Sequence, residues 1–177
     1  IVFAAAIAAR TKRMRLCFKA IVAPLHDPVR LAEDIAILDQ ISNGRAEVCL
    51  VAGYVPNEFA LFGKDPADRP RAMEEAIRVM KAAWTGEPFD YRGATVRVTP
   101  RPVQRPHPPL LLGGSSPAAA RRAGRMADGF VTYRDDLYQV YFDAAKAAGK
   151  HPAPFALPSP GFLDVAEDPE AAWDAIG

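Results

Sequence analysis

Leu110-Leu111-Leu112-Gly113-Gly114-Ser115-Ser116-Pro117 runs directly into Ala118-Ala119-Ala120-Arg121-Arg122-Ala123. The short apolar run reads as a strand buried on both faces. Two glycines then allow a turn in which backbone approaches a ligand closely. Ser116 is a preferred N-cap, and Pro117 suits the first helical position, where a missing N–H costs nothing. Strand, turn and helix start together make an anion site, because unpaired N–H groups and the helix dipole converge on one spot. Gly114, Ser115 and Ser116 are therefore candidates to hold a phosphate, a cofactor's being the natural choice. The same residues also suit an ordinary βα turn that binds nothing.

Working outward, the same grammar repeats. Met14 to Ala23 is apolar and β-leaning and predicts a buried strand, followed by a loop at Pro24-Leu25-His26. Asp27 and Pro28 then open a helix whose Leu31, Ile35, Leu38 and Ile41 form an apolar stripe, closed by Ser42-Asn43-Gly44. Ala46 to Gly53 predicts a second strand, with a loop from Tyr54 through Phe59 to Pro66. Asp68-Arg69-Pro70 opens the next helix, striped by Met73, Ala76, Ile77, Met80 and Trp84. Phe89 to Val98 has the turn and alternation of a small hairpin, and Pro100 to Pro109 predicts a stiff extended crossing. Beyond the opening stretch come a strand at 128–132, a helix at 137–148, a strand at 161–165 and a helix start at Asp168-Pro169-Glu170. Strands alternating with helices mean parallel strands and right-handed crossovers. A doubly wound sheet and a (β/α)8 barrel both fit that pattern.

Composition narrows the function classes. The 177 residues are 50% hydrophobic, enough for one domain with a real core. With 22 basic and 21 acidic residues the net charge is +1, so neither nucleic acid nor membrane is expected as a partner. Cys17 and Cys49 both fall in predicted strands, and the three histidines do not cluster with them. Two buried reduced thiols in a cytoplasmic protein are expected, with no metal site. Ile1 to Ala9 is apolar but lacks the basic flank of a signal peptide and the length of a membrane span. The chain begins without Met and inside one helix pattern and stops inside another, which points to a piece of a longer protein.

An ordered set of segments resembles the bacterial luciferase-like family of flavin-dependent oxidoreductases: 26–34, 38–45, Gly53 to Phe59 with Phe62-Gly63, Pro106 to Pro109, Gly113 to Pro117, and 127–130. The resemblance implies an α/β fold, a (β/α)8 TIM barrel, with residues 1–177 as one partial barrel domain and a hairpin insertion at about 88–108. The family's first two strands and its last strand would then lie outside this chain. Ligands in such barrels sit at the carboxyl ends of the strands, so loops at 19–27, 53–62, 113–117 and 132–135 should form what remains of the site.

The resemblance also implies site residues. Gly113, Gly114, Ser115 and Ser116 match the turn that takes the flavin phosphate. Ala52, Gly53 and Tyr54 match the strand end beside the isoalloxazine or ribityl chain. Luciferase carries an arginine where this chain has Ala52, so one contact is missing here or supplied elsewhere. Arg69 or Arg71 is expected to reach the phosphate from the following helix start, Arg71 being the one assigned to the site. Lys19 and Ala20 fall where the family often has a non-prolyl cis peptide behind the ring. Lys19 is unusual there, since small residues are common, and Cys17 stands where glycine is frequent. His26 is a minor pocket candidate and His107 is expected to be structural. The family's catalytic histidine lies on a strand outside this chain, so the catalytic residues are unknown.

The implied activity is a monooxygenase using reduced FMN and O2 on a small organic substrate, with a separate flavin reductase or NAD(P)H as the source of electrons. A hydride-transferring relative using the 8-hydroxy-5-deazaflavin coenzyme is the alternative, and a non-catalytic flavin-binding barrel remnant a third. Tyr54, Phe59 and Phe62 hint at a hydrophobic or aromatic substrate. An incomplete barrel leaves sheet edges that pair with other chains, so a homodimer or other oligomer is expected.

Overall fold

The computed structural model describes residues 1–152, 168 and 170. The strand expected at 161–165 lies outside the described residues, as does Pro169 of the helix start expected at 168–170. The described elements are α1 (Val2–Arg10), β1 (Leu16–Val22), α2 (Pro28–Ser42), β2 (Ala46–Val51), α3 (Pro56–Leu61) and α4 (Arg69–Trp84). The hairpin β3 (Phe89–Tyr91) and β4 (Ala94–Val96) follows, then β5 (Leu110–Gly113), α5 (Pro117–Met126), β6 (Gly129–Val131) and α6 (Asp136–Ala147). Four strands form one parallel sheet in the order β1-β2-β5-β6. The order follows the chain without reversal, as in a barrel; a doubly wound sheet reverses at a switch point. The hairpin stands apart as its own two-stranded sheet.

The strand sequences divide the sheet into two faces. Val48 and Leu50 on β2, with Leu110 and Leu112 on β5, pack into the core beneath α2, α4, α5 and α6. Period-two alternation sends Cys49, Val51 and Gly113 to the opposite face. Trp84, fully buried at the end of α4, donates from Nε1 to the Ala32 carbonyl at 3.0 Å and so ties α4 to α2. Phe130 stacks on Tyr141 with ring centroids 5.7 Å apart, which holds α6 against β6.

Helix starts and loop anchors follow sequence chemistry. Asp27 accepts from the N–H groups of Val29 and Arg30 at 2.9 and 3.1 Å, with Pro28 as the first helical residue. Asp27→Ala should remove both bonds and cost about 1 kcal/mol, read as a lower urea midpoint at an unchanged slope. Asn43 closes α2 in the left-handed region at φ 54°. Buried Asp39 accepts from the Gln104 backbone N–H at 2.9 Å and from Gln104 Nε2 at 2.7 Å, pinning the proline-rich crossing. The Arg45 guanidinium makes five hydrogen bonds to Ser42, Thr11, Met14 and Ala8, and so fastens α1 to the body.

Several expectations are corrected. Tyr54 to Phe59 is not all loop: Pro56 starts the short helix α3. Ile41 is 46% exposed and leaves the α2 stripe, whereas Asp39 and Ser42 are buried on it. The 100–109 crossing is bent rather than straight, with cis bonds before Pro100 and Pro106. β1 is not buried throughout, because its outer face looks into a cavity, and Cys17 is exposed while Cys49 is buried.

Candidate functional site

A cavity of about 1320 Å3 opens at the carboxyl ends of the parallel strands. Its floor is Lys19 and Ala20 from β1, Cys49 and Val51 from β2, Gly113 from β5 and Val131 from β6. Residues following each strand make the walls: Ala52 to Val55, Gly114 to Ser116, and Thr132, Tyr133 and Asp135. Nine expected site residues therefore meet here: Lys19, Ala20, Ala52, Gly53, Tyr54, Gly113, Gly114, Ser115 and Ser116. The Lys19–Ala20 bond is cis, as the resemblance implied.

The anion chemistry read from the opening stretch is present in detail. Ser116 caps α5, its hydroxyl oxygen accepting from the Ala119 N–H at 3.3 Å, and Pro117 takes the first helical position. The Gly114 N–H is used by the Val131 carbonyl at 3.1 Å, but among the described residues no hydrogen bond engages the N–H of Ser115 or Ser116. Two donors, two exposed hydroxyl groups and a ten-residue helix dipole thus gather at one corner of the cavity. That donor set fits a phosphate monoester, and the apolar floor strands suit the flat ring system that a flavin phosphate carries.

Arg71 is corrected as a cavity residue. It lies outside the lining, exposed, with its Nη2 paired to Asp68 at 2.9 Å. Arg69 takes its place. Both sit in the first turn of α4, but two residues is about 200° around a helix, so only one of them can face inward. The Arg69 Nε donates to the Pro66 carbonyl and Nη1 to the Gly53 carbonyl, both at 2.8 Å, and its guanidinium lies 5.9 Å from the Phe59 ring centroid. The cation is held in one orientation before any ligand arrives.

His26 is exposed, lies outside the lining, and is pushed below its usual range chiefly by partial burial. His107 stacks against Trp84 at 5.6 Å and has a structural role. Phe59 and Phe62 do not face the cavity: Phe59 is core beneath Gly53, and Phe62 is 61% exposed. The aromatic lining comes instead from Tyr54, Tyr133 and Tyr138. The two later tyrosines were not singled out from sequence, although Tyr133 follows directly on a predicted strand end. Arg122 also lines the cavity, its Nε held by Glu74 at 3.2 Å. Burial pushes the Cys49 thiol up to about 12 and raises Cys17 as well, so both stay neutral thiols. Among the described residues no cluster of metal-ligating side chains occurs, and no helix is long and apolar enough to cross a membrane.

Comparison with known proteins agrees with this architecture. A family model described as luciferase-like monooxygenase matches residues 1–176. The chain is 34% identical over 135 residues to an FMNH2-dependent dimethylsulfone monooxygenase of Pseudomonas putida, a match covering 72% of this chain and 37% of that protein. The crystal structure of the monooxygenase RslO1 from Streptomyces bottropensis superimposes with a TM-score of 0.75 at 31% identity, over 86% of this chain and 50% of that one. An F420-dependent secondary alcohol dehydrogenase in complex with an F420–acetone adduct gives 0.73 at 25% identity, over 85% and 50%. The chain thus spans half or less of the length of these relatives.

Proposed function

The chain belongs to the luciferase-like monooxygenase family, and on that premise we propose that it carries the phosphate-binding wall of a flavin-dependent oxidoreductase, a monooxygenase using reduced FMN and O2 on a small organic substrate. The observation that carries the proposal is the donor set itself. The Ser115 and Ser116 N–H groups, the α5 N-terminus and the pre-oriented Arg69 guanidinium share one cavity. Reduced flavin, when bound, supplies the electrons that monooxygenation by O2 requires.

The chain's own residues would do the rest. Ser115 and Ser116 would donate to phosphate oxygens, and Arg69 would add charge-assisted bonds suited to a dianion. Ala52, Gly53 and Tyr54 would border the ring or its side chain, with Lys19 and Ala20 behind it. Tyr54, Tyr133 and Tyr138 would screen the cavity from water and favour an apolar or aromatic substrate. Electrons would come from a separate flavin reductase or NAD(P)H, acting on a cytoplasmic, oligomeric enzyme that has the full barrel. The likeness to an F420-dependent alcohol dehydrogenase favours a second reading. In that one the same wall holds a deazaflavin coenzyme for hydride transfer without oxygen.

Fluorescence titrations with FMN, riboflavin and the deazaflavin coenzyme separate these readings. FMN should bind tighter than riboflavin, and Arg69→Gln should weaken FMN about tenfold, as loss of one charged hydrogen bond implies, while leaving riboflavin unchanged. Equal binding of FMN and riboflavin by the unaltered chain would overturn the phosphate assignment. Preference for the deazaflavin would move the protein to hydride transfer.

A further inference from the structure

Arg122 lines the cavity but has no part in the donor set described above. It stands in the middle of α5, and its side chain is only 13% exposed. The cavity runs on past Ser116 between the first turns of α4 and α5. Arg69 and Pro70 wall it on one side, and Ala118, Ala119 and Arg122 on the other. Helix side chains lean towards the N-terminus of their own helix, so Arg122 lies over the turn that carries Ala118 and Ala119, on the side of Ser116. The two alanine methyl groups leave room there for a long side chain.

The ion pairs around this crevice leave positive charge over. Glu74 Oε1 accepts from Arg122 Nε at 3.2 Å and also lies 3.5 Å from Arg125 Nη2, so one carboxylate serves two guanidinium groups. Among the described residues no other bond engages Arg122. Its Nη groups are unclaimed while its orientation is already set. Arg69 is bonded only to carbonyl oxygens, which carry no full charge. Of the neighbouring carboxylates, Asp68 is paired with Arg71, and Asp65 caps the Ala67 N–H. Glu58 and Asp135 line the cavity on exposed residues of α3 and of the segment after β6, and Lys19 stands two strands away on β1. Arg69 and Arg122 thus share the crevice with part of one carboxylate between them. A phosphate monoester brings close to two negative charges at neutral pH, where a diester brings one.

Resting on the oxidoreductase proposal above, we infer that Arg122 is a specificity-determining residue, the second cation of the phosphate corner. With Arg69 it makes the corner a site for the dianion of a phosphate monoester. The site then selects FMN over coenzymes whose phosphate is a diester, the deazaflavin coenzyme among them.

Fluorescence titrations with FMN and riboflavin test this on the unaltered chain, Arg122→Gln and Glu74→Gln. A phosphate monoester loses its second proton at about pH 6, so a tenfold preference for the dianion should make FMN bind about fivefold tighter at about pH 8 than at about pH 5. Riboflavin has no phosphate and should bind alike at both. Arg122→Gln should weaken FMN about tenfold at the higher pH and cut the rise to about twofold or less, with riboflavin unchanged. Glu74→Gln should keep the rise, because it breaks the same bridge between α4 and α5 but leaves the cation. Riboflavin binding and the thermal midpoint report that both variants are folded. A flat FMN profile in the unaltered chain, a full rise surviving in Arg122→Gln, or tighter binding of the deazaflavin coenzyme than of FMN overturns the inference. A rise lost equally in Arg122→Gln and Glu74→Gln overturns it too, and leaves Arg122 a structural bridge. In all these cases the phosphate assignment stands as long as FMN binds tighter than riboflavin. Equal binding of the two overturns that assignment, and the inference with it.

Discussion

Replacing Gly124 by alanine should destabilise the chain by about 3 kcal/mol, although alanine is the better helix former by about 1 kcal/mol. Gly124 sits in the interior of α5, where that helix crosses α6. A Cβ there would stand 2.6 Å from the Tyr141 carbonyl oxygen, 2.7 Å from the Ala145 nitrogen and 2.8 Å from the Ala144 Cβ. Two of these three atoms are helix backbone and have no rotamer to move into. The helices must part by most of an ångström, which loosens Ala120, Ala123 and Tyr141 in the core behind them. Overpacking of a close-packed core costs typically 1–3 kcal/mol and occasionally more, and a rigid backbone contact belongs at the upper end. Thermal unfolding should show a midpoint roughly 10 °C lower. A midpoint that rises, as propensity alone demands, would show that α5 and α6 are not held this closely. Because the N-terminus of α5 carries the Ser115–Ser116 donors, FMN affinity should fall with stability.

Neither that contact nor its consequence is legible in the sequence, where Gly124 is one small residue in an alanine-rich helix. What is legible is local. The Leu110–Pro117 stretch specifies strand, turn, cap and helix start within eight residues, and each step has the chemistry expected. The β/α alternation likewise predicts a parallel sheet, and the segments resembling the luciferase-like family add the barrel order. The failures arise where a residue's surroundings come from distant parts of the chain. Ile41 fits a spacing rule, but at about 100° per residue it lies roughly 80° from Leu31, on the side away from the core. Asp39 takes a buried position because Gln104, 65 residues away, supplies the carboxylate with donors, and buried Ser42 donates to the Asp39 carbonyl and accepts from the Arg45 N–H. β1 reads as buried by composition, yet one of its faces looks into a cavity. Arg69 and Arg71 are indistinguishable until the rotation of α4 is known.

The site itself is most vulnerable at Gly53. Gly53→Ala should cost about 3 kcal/mol and weaken FMN by at least as much as loss of the Arg69 charge. Its φ of 76° lies in the left-handed region, which costs an L-residue roughly 1–2 kcal/mol. An added Cβ would also meet Val22 Cγ1 at 2.7 Å and Phe59 Cε2 at 3.0 Å. Val22 ends β1, and Phe59 is the buried residue of α3 beneath the Arg69 guanidinium. The Gly53 carbonyl is itself the acceptor that orients Arg69. One methyl group therefore pushes on the end of β1, on α3 and on the peptide that orients the phosphate-seeking cation. The FMN-over-riboflavin preference should collapse along with the thermal midpoint. Adding Val22→Ala separates the two causes, because it removes the closest steric contact and leaves the dihedral cost in place. If crowding dominates, the double variant will be more stable than the sum of the single losses predicts. Strict additivity would assign the loss to the left-handed backbone and the Phe59 contacts, which the Val22 change leaves in place. A Gly53→Ala protein of unchanged stability and unchanged FMN preference would show that Gly53 does not hold Arg69 in place.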